Sequence, residues 1–305
     1  MEFESVNHPE SMGHWGKNVF GGNTMALAIN AGYQQLPEEY QLYSVMGYFL
    51  GPSRIDRCLI CNVREIRKTR TFCAREVELS QLYDGKRRKV MIMLLDFQKR
   101  EPATMMSFSA PPALKYSSLH QASSLQQLRS TAVSQGRATA ADAAFHEQGF
   151  ALKDRYFEQR ACVEGVFGQT LYGVLQKAAT TQDDLPLTAK TSADWFRAAD
   201  ALSTRAENMA ALAFMMDAAL AFVPLAHDHS FFTEAGAAST LDFAFRVFIN
   251  DLKVNDWHLR EMKTIAGGEG RTYNEARLWD EQGRMVASMT QQCILRPKPK
   301  PTVKL

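Results

Sequence analysis

The strongest constraint in this sequence is an order of elements that occurs twice: one helix-period segment, then four strand-period segments. In the first copy Met25, Ala28, Ile29 and Tyr33 recur at helical spacing over residues 22–33. Apolar or alternating runs follow at 42–50, 58–66, 71–82 and 89–97, separated by turn signals such as Gly51-Pro52-Ser53 and Asp84-Gly85. In the second copy a helix is expected over 205–222, with strands over 239–248, 257–265, 271–279 and 285–295. The third and fourth strands of each copy form a hairpin over a Gly-containing turn, and each fourth strand carries a glutamine near its end, Gln98 and Gln291. Two further strands are expected near 156–162 and 193–198.

A long helix wrapped by an antiparallel sheet is the hotdog arrangement, so the duplication predicts an α+β double hotdog, two antiparallel sheets each around a central helix. The expected division is an N-terminal hotdog over 1–105, a Ser/Ala/Gln/Pro-rich linker over 106–150, and a C-terminal hotdog over 151–305. The chain's 305 residues suit two domains. Its formal charge of +2 is too small to hold a polyanion through distributed phosphate contacts, which argues against nucleic acid as a partner. Five cysteines without a secretory leader point to reduced thiols, and neither Cys58-x-x-Cys61 nor His227-Asp228-His229 has the further spaced ligands of a metal site. The near-membrane-length apolar run over 209–226 holds Asp217 in its middle, a costly charge in lipid, and reads as a buried helix with no membrane span.

That same Asp217 is the chief functional candidate. Its neighbours one turn away are Ala213, Phe214, Leu220 and Ala221, so the carboxylate lies on an apolar face and must be hydrogen-bonded there. Gln291 shares one strand face with Met285, Ala287, Met289 and Cys293, and a polar side chain on that face needs a partner. If the face covers the second helix, Asp217 and Gln291 meet and can hold one water. Thr240 has a suitable hydroxyl, but simple alternation turns it away from Leu241, Phe243 and Phe245 only to the opposite face, so it reaches the helix only through a twisted or bulged strand start. The first helix has no Asp, Glu or His, so one acid-bearing site per chain is expected. Gly21 and Gly22 before it suit either close approach of a ligand carbonyl to the helix N-terminus or a tight strand-to-helix turn. There is no G-x-S-x-G, G-x-G-x-x-G or G-x-x-x-x-G-K-[ST], which removes the nucleophile elbow and the usual phosphate cradles.

Six segments resemble the acyl-CoA thioesterase II family: VFGGNTMALAINA (19–31), LYSVMGYFLGP (42–52), TRTFCAREVELSQ (69–81), FMMDAALAFVPL (214–225), STLDFAFRVF (239–248) and GRMVASMTQQCILRP (283–297). The resemblance implies hydrolysis of an acyl-CoA thioester to free acid and CoA without a cofactor, by water that Asp217, Thr240 and Gln291 activate jointly. Gly21, Gly22 and Tyr48 are the implied substrate contacts. The family's HSYFLRPG reads Met46 to Ser53 here and loses its His and Arg, which implies an altered acyl or CoA preference and a specialised pathway. A hotdog hydratase would instead need an acid–histidine pair, and a non-hydrolytic acyl-CoA or acyl-carrier binding protein would not need the water site. Two fused hotdogs already satisfy each other's pairing, so a monomer suffices, although members of the family also associate further. The tail PKPKPTVKL resembles a peroxisomal address of the S-K-L kind, with an import receptor as partner, and otherwise reads as a basic tail on a cytoplasmic protein. A fluorescent reporter carrying these last nine residues is expected to collect in peroxisomes; a diffuse signal removes the address.

Overall fold

The computed structural model describes residues 1–13 and 18–299; the tail tripeptide Val303-Lys304-Leu305 lies outside them. The chain runs through β1 (Glu2–Glu4), α1 (Gly21–Tyr33), β2 (Tyr40–Phe49), β3 (Ile60–Lys68), β4 (Phe72–Tyr83) and β5 (Lys86–Lys99). It continues through β6 (Ser123–Ser124), α2 (Leu125–Ser134), α3 (Ala140–Gly149), α4 (Ala151–Tyr156), β7 (Phe157–Ala161) and α5 (Val166–Thr170). The last part comprises β8 (Ser192–Ala198), α6 (Arg205–Asp217), α7 (Val223–His227), β9 (Ala235–Val247), β10 (His258–Gly268), β11 (Arg271–Asp280) and β12 (Met285–Pro297). The expected strands all form, within a few residues of their expected ends.

The order across the sheet is β1-β3-β4-β5-β2-β9-β12-β11-β10-β8-β7-β6. The run β1-β3-β4-β5-β2 is repeated, read from the other edge, by β8-β10-β11-β12-β9, and each repeat carries its helix between its first two strands. The two expected sheets are joined edge to edge, because β2 and β9 pair antiparallel from Ser44↔Arg246 to Tyr48↔Asp242. That pairing satisfies two rows of backbone groups that would otherwise be open sheet edges. On the concave side α1 and α6 pack against each other, with the Phe20 and Phe214 rings edge to face at 4.9 Å. Met25, Ala28 and Ile29 of α1 and Leu212, Ala213 and Met216 of α6 are buried in the shared core.

The segment between the halves runs irregularly from Arg100 to Ala122 and then forms α2 and α3, each started by a capping box, Ser124 with Gln127 and Thr139 with Asp142. It is stitched to the second half: Trp279 Nε1 donates to the Ala110 carbonyl at 2.8 Å, and Tyr116 Oη to Glu261 Oε2 at 2.7 Å.

The expected single helix over 205–222 is broken. A capping box of Thr204 and Glu207 starts α6, which then ends at Asp217: Ala218 is extended and Ala219 is left-handed at φ +70°. No Gly or Pro marks this break. Its cause is Arg260 on β10, whose buried guanidinium donates to the Met215 carbonyl and, at 2.9 Å, to the Ala218 carbonyl. Those carbonyls find their partner in the guanidinium instead of in a next helical turn. Arg260 is held by a bidentate pair with buried Asp194, at 3.0 and 2.8 Å, and Tyr172 and Gln159 donate to the same carboxylate at 2.9 and 3.1 Å. The apolar run is thus interrupted inside the core, with Leu220, Val223 and Ala226 buried.

Replacing Arg260 by Met leaves Asp194 buried without its cation, and is expected to cost roughly 3–5 kcal/mol in chemical denaturation. The double variant Arg260→Met/Asp194→Leu is expected to recover part of that loss. A single-variant loss below about 1 kcal/mol would mean that the pair does not hold the end of α6.

Candidate functional site

Asp217 is the last residue of α6 and points across the helix pair at the start of α1. Its side chain is 5% exposed. Gln291 on β12 is fully buried and donates its Nε2 to Asp217 Oδ1 at 2.5 Å. The face predicted for this strand is the one observed, since Ala287, Met289 and Cys293 are also wholly buried. Gln291 is positioned by its cross-strand partners Phe243 on β9 and Asn274 on β11.

Thr240 joins them through an irregularity that simple alternation does not contain. Gln292 pairs with Asp242 and the next residue, Cys293, pairs with Thr240, so Leu241 is an extra residue on β9. This bulge carries Thr240 to the inner face with Phe243. Thr240 Oγ1 stands 3.5 Å from Asp217 Oδ1 and 3.3 Å from Gln291 Oε1, so its single proton can go to either.

The fourth contribution comes from the other half of the molecule. The N-terminus of α1 has no side-chain cap, and the Gly22 N–H donates to Asp217. Any side chain at Gly22 would collide with the Phe20 ring and the Phe214 carbonyl, and a Cβ on Gly21 would stand 2.9 Å from Asp217 Oδ2. Both glycines are therefore required by close packing against the protein's own Asp217, Phe20 and Phe214; Gly21 lines the cavity beside Asp217, whereas Gly22, expected as a substrate contact, does not. Burial pushes the Asp217 carboxyl up to about 6, against the opposing pull of the Gln291, Gly22 and Thr240 hydrogen bonds and of the Arg260 charge.

Asp217 and Thr240 line a cavity of about 570 Å³ whose walls include Phe20, Gly21, Phe49, Pro52, Ala219, Phe222 and Ser239. Gln291 sits behind this wall and reaches the cavity only through its two partners. Tyr48 does not line it. Along β2, Gly47 and Phe49 turn inward and Tyr48 turns outward, 54% exposed, so the aromatic contact on this strand is Phe49.

Two residues near the site were not among the site candidates read from the sequence. Cys293 Sγ lies 3.8 Å from Gln291 Oε1, and burial holds its thiol protonated, pushed up to about 12. Asn274 donates to Cys293 Sγ at 3.6 Å and to Thr272 Oγ1 at 3.3 Å. The alternation of Thr272 and Asn274 along β11 was the available signal. The His227-Asp228-His229 triplet does not converge: His227 Nε2 is 2.9 Å from Ser192 Oγ, and His229 Nε2 is 2.8 Å from Asp183 Oδ1.

Residues 8–98 match the acyl-CoA thioesterase N-terminal domain, and residues 153–295 match the acyl-CoA thioesterase C-terminal domain. The chain belongs to the acyl-CoA thioesterase family. Among solved structures it is similar to a TesB protein of Mycobacterium avium subsp. paratuberculosis, at 15% identity and a TM-score of 0.68, over 97% of this chain and 93% of that one. It is also similar to the acyl-CoA thioesterase II TesB2 of Mycobacterium marinum, at 18% identity and a TM-score of 0.62, over 94% and 92%. A hotdog-fold protein of unknown function from Alicyclobacillus acidocaldarius aligns at 14% identity with a TM-score of 0.67, over 98% and 94%. These structures share the double-hotdog fold, and family membership makes this thioesterase a thioester hydrolase.

A carboxyl whose pKa is raised on folding is most favourable to the folded state when protonated, so that stability is present below the unfolded value and is lost as pH rises through about 6. Asp217→Asn removes the titration. The variant is expected to melt higher than the parent at pH 8, by up to about 3 kcal/mol in stability, and the difference should vanish below about pH 4. Equal melting temperatures across that range would mean that Asp217 is not the strained acid its surroundings imply.

Proposed function

We propose that this thioesterase hydrolyses its acyl-CoA substrate with a water that Asp217, Thr240 and Gln291 hold directly against the thioester carbonyl. The observation that carries the reading is the meeting of the three side chains within 2.5–3.5 Å, with Asp217 and Thr240 at the wall of one apolar cavity and Gln291 behind them. Asp217 Oδ1 is occupied by Gln291, while Oδ2 lies beside Gly21 at the cavity, where it can accept a proton from water. Thr240 Oγ1 orients that water, and Gln291 acts through its hydrogen bonds to Asp217 and Thr240, which hold both in place. As it attacks, its proton passes to Asp217 and the carbonyl becomes an oxyanion; the oxyanion then collapses, the carbon–sulfur bond breaks, and the proton passes from Asp217 to the leaving sulfur, releasing CoA and the free acid.

The Gly22 N–H is spent on Asp217. The Gly21 N–H, in the same uncapped first turn, is the donor for the oxyanion, with the N-terminal dipole of α1 behind it. Water is the nucleophile in this reading and no covalent acyl-enzyme forms: Thr240 serves to orient the water, and burial holds the Cys293 thiol protonated. None of the described histidines lines the cavity, which disfavours a hydratase. The loss of the family's His and Arg from the Met46 to Ser53 segment supports an altered acyl preference in a specialised pathway.

Thiol release measured across acyl-CoAs of graded chain length tests the reading. Asp217→Asn is expected to lower kcat at least about a hundredfold with folding intact. In the parent, kcat/KM is expected to fall as pH drops through about 6, where the base becomes protonated. Near-normal turnover by the variant sinks the assignment, and binding of acyl-CoA without thiol release by the parent would make the protein a binding module.

A further inference from the structure

We propose that Arg88 and Arg54, each next to a residue that lines the catalytic cavity, form the anion site that holds the phosphates of the CoA nucleotide outside it. The inference rests on the acyl-CoA reading above and adds where the polar end of that substrate lies.

Residues Gly51 to Ser53 line the cavity. Arg88 on β5 stands over them: its Nη2 would be 3.2 Å from a Cβ on Gly51. A side chain at position 51 would have to displace that guanidinium.

Within the basic run Lys86 to Lys89, the flanking charges are already used. Arg87 is paired with Glu2 at 2.7 Å and Lys89 with Glu78 at 2.6 Å. Strand alternation sends Arg88 to the other face, where its guanidinium has no carboxylate within ion-pair distance among the described residues and only the Tyr83 ring nearby, at 5.7 Å. Its five N–H donors are free for a planar anion.

Arg54 follows Ser53 directly. Its backbone is clamped by fully buried Gln81, which accepts from the Arg54 N–H and donates to the Arg54 carbonyl, each at 2.8 Å. Gln81 is also the cross-strand partner of Arg88. One buried amide therefore fixes the rim segment to the strand that carries the second cation. The Arg54 side chain is only loosely committed, 3.8 Å from Asp56, and its Nε is buried without a partner.

A cavity of about 570 Å³ has room for an acyl–pantetheine arm and leaves the nucleotide outside, where its phosphates meet these two guanidiniums. With a formal charge of only +2 on the chain, such capture depends on these two side chains and not on a general positive field.

Two measurements test the site. In the first, adenosine 3′,5′-bisphosphate, which carries the phosphates but no thioester, is titrated calorimetrically into the parent, Arg88→Glu and Arg54→Glu. In the second, steady-state kinetics compare an acyl-CoA with the matching acyl-pantetheine. Arg88→Glu is expected to abolish nucleotide binding and to raise KM for acyl-CoA about tenfold more than KM for acyl-pantetheine. Arg88→Gln should give the same pattern more weakly. Equal effects on the two thioesters, or parent-like nucleotide binding by Arg88→Glu, overturn the proposal. Absence of thiol release from either thioester by the parent would instead count against the hydrolytic reading, while the nucleotide titration still decides the anion site.

Discussion

The site depends on one buried cation. Arg260 is wholly enclosed, and a lone guanidinium there would be prohibitively costly, so its bidentate pair with Asp194 and the donors around that carboxylate are conditions for its presence. In return it takes the Met215 and Ala218 carbonyls on either side of Asp217 and stops the helix there. Without that stop, the carboxylate would lie along the flank of a longer helix. With it, the acid sits at a helix end, facing the first turn of α1 across the interface between the halves.

Each half supplies what the other lacks. The second contributes the carboxylate, the hydroxyl and the amide, and the first contributes N–H groups at a helix start kept bare by Gly21 and Gly22. The β2–β9 pairing and the contact of α1 with α6 fix these contributions relative to one another. The shared core of the two helices therefore serves as the scaffold of the site, which explains why its polar members are buried rather than presented on a loop.

Much of this was legible in the sequence because it rests on local periodicity. The doubled order of helix and strands, the inward face of β12 and the anomaly of an acid among alanines and phenylalanines need only neighbouring residues to be read. What was not legible depends on remote partners. The break after Asp217 has no Gly or Pro, since Arg260 imposes it from β10. The bulge at Leu241 arises from pairing with β12, so alternation alone sent Thr240 to the wrong face. Tyr48 was drawn into the site by its motif, whereas strand geometry puts Phe49 there instead. The union of two sheets through β2 and β9 likewise belongs to neither repeat and leaves no mark in either.

The two long helices have the same length, and where α6 ends in Asp217, α1 ends in Tyr33, whose buried hydroxyl accepts the Leu42 N–H at 3.1 Å. Arg75 closes the end of α1 by donating to the Gly32 and Gln34 carbonyls at 2.7 Å, much as Arg260 closes α6. The start of α6, however, is sealed by the Thr204–Glu207 box, while the start of α1 is not. Duplication would place a twin of the site at the opposite end of the helix pair. There the twin has become a joint: its acid is a phenol, and its helix start has been stopped with side chains. The chain keeps the framework of a symmetric dimer but directs its chemistry to one end, so each half can change without having to preserve the function of the other.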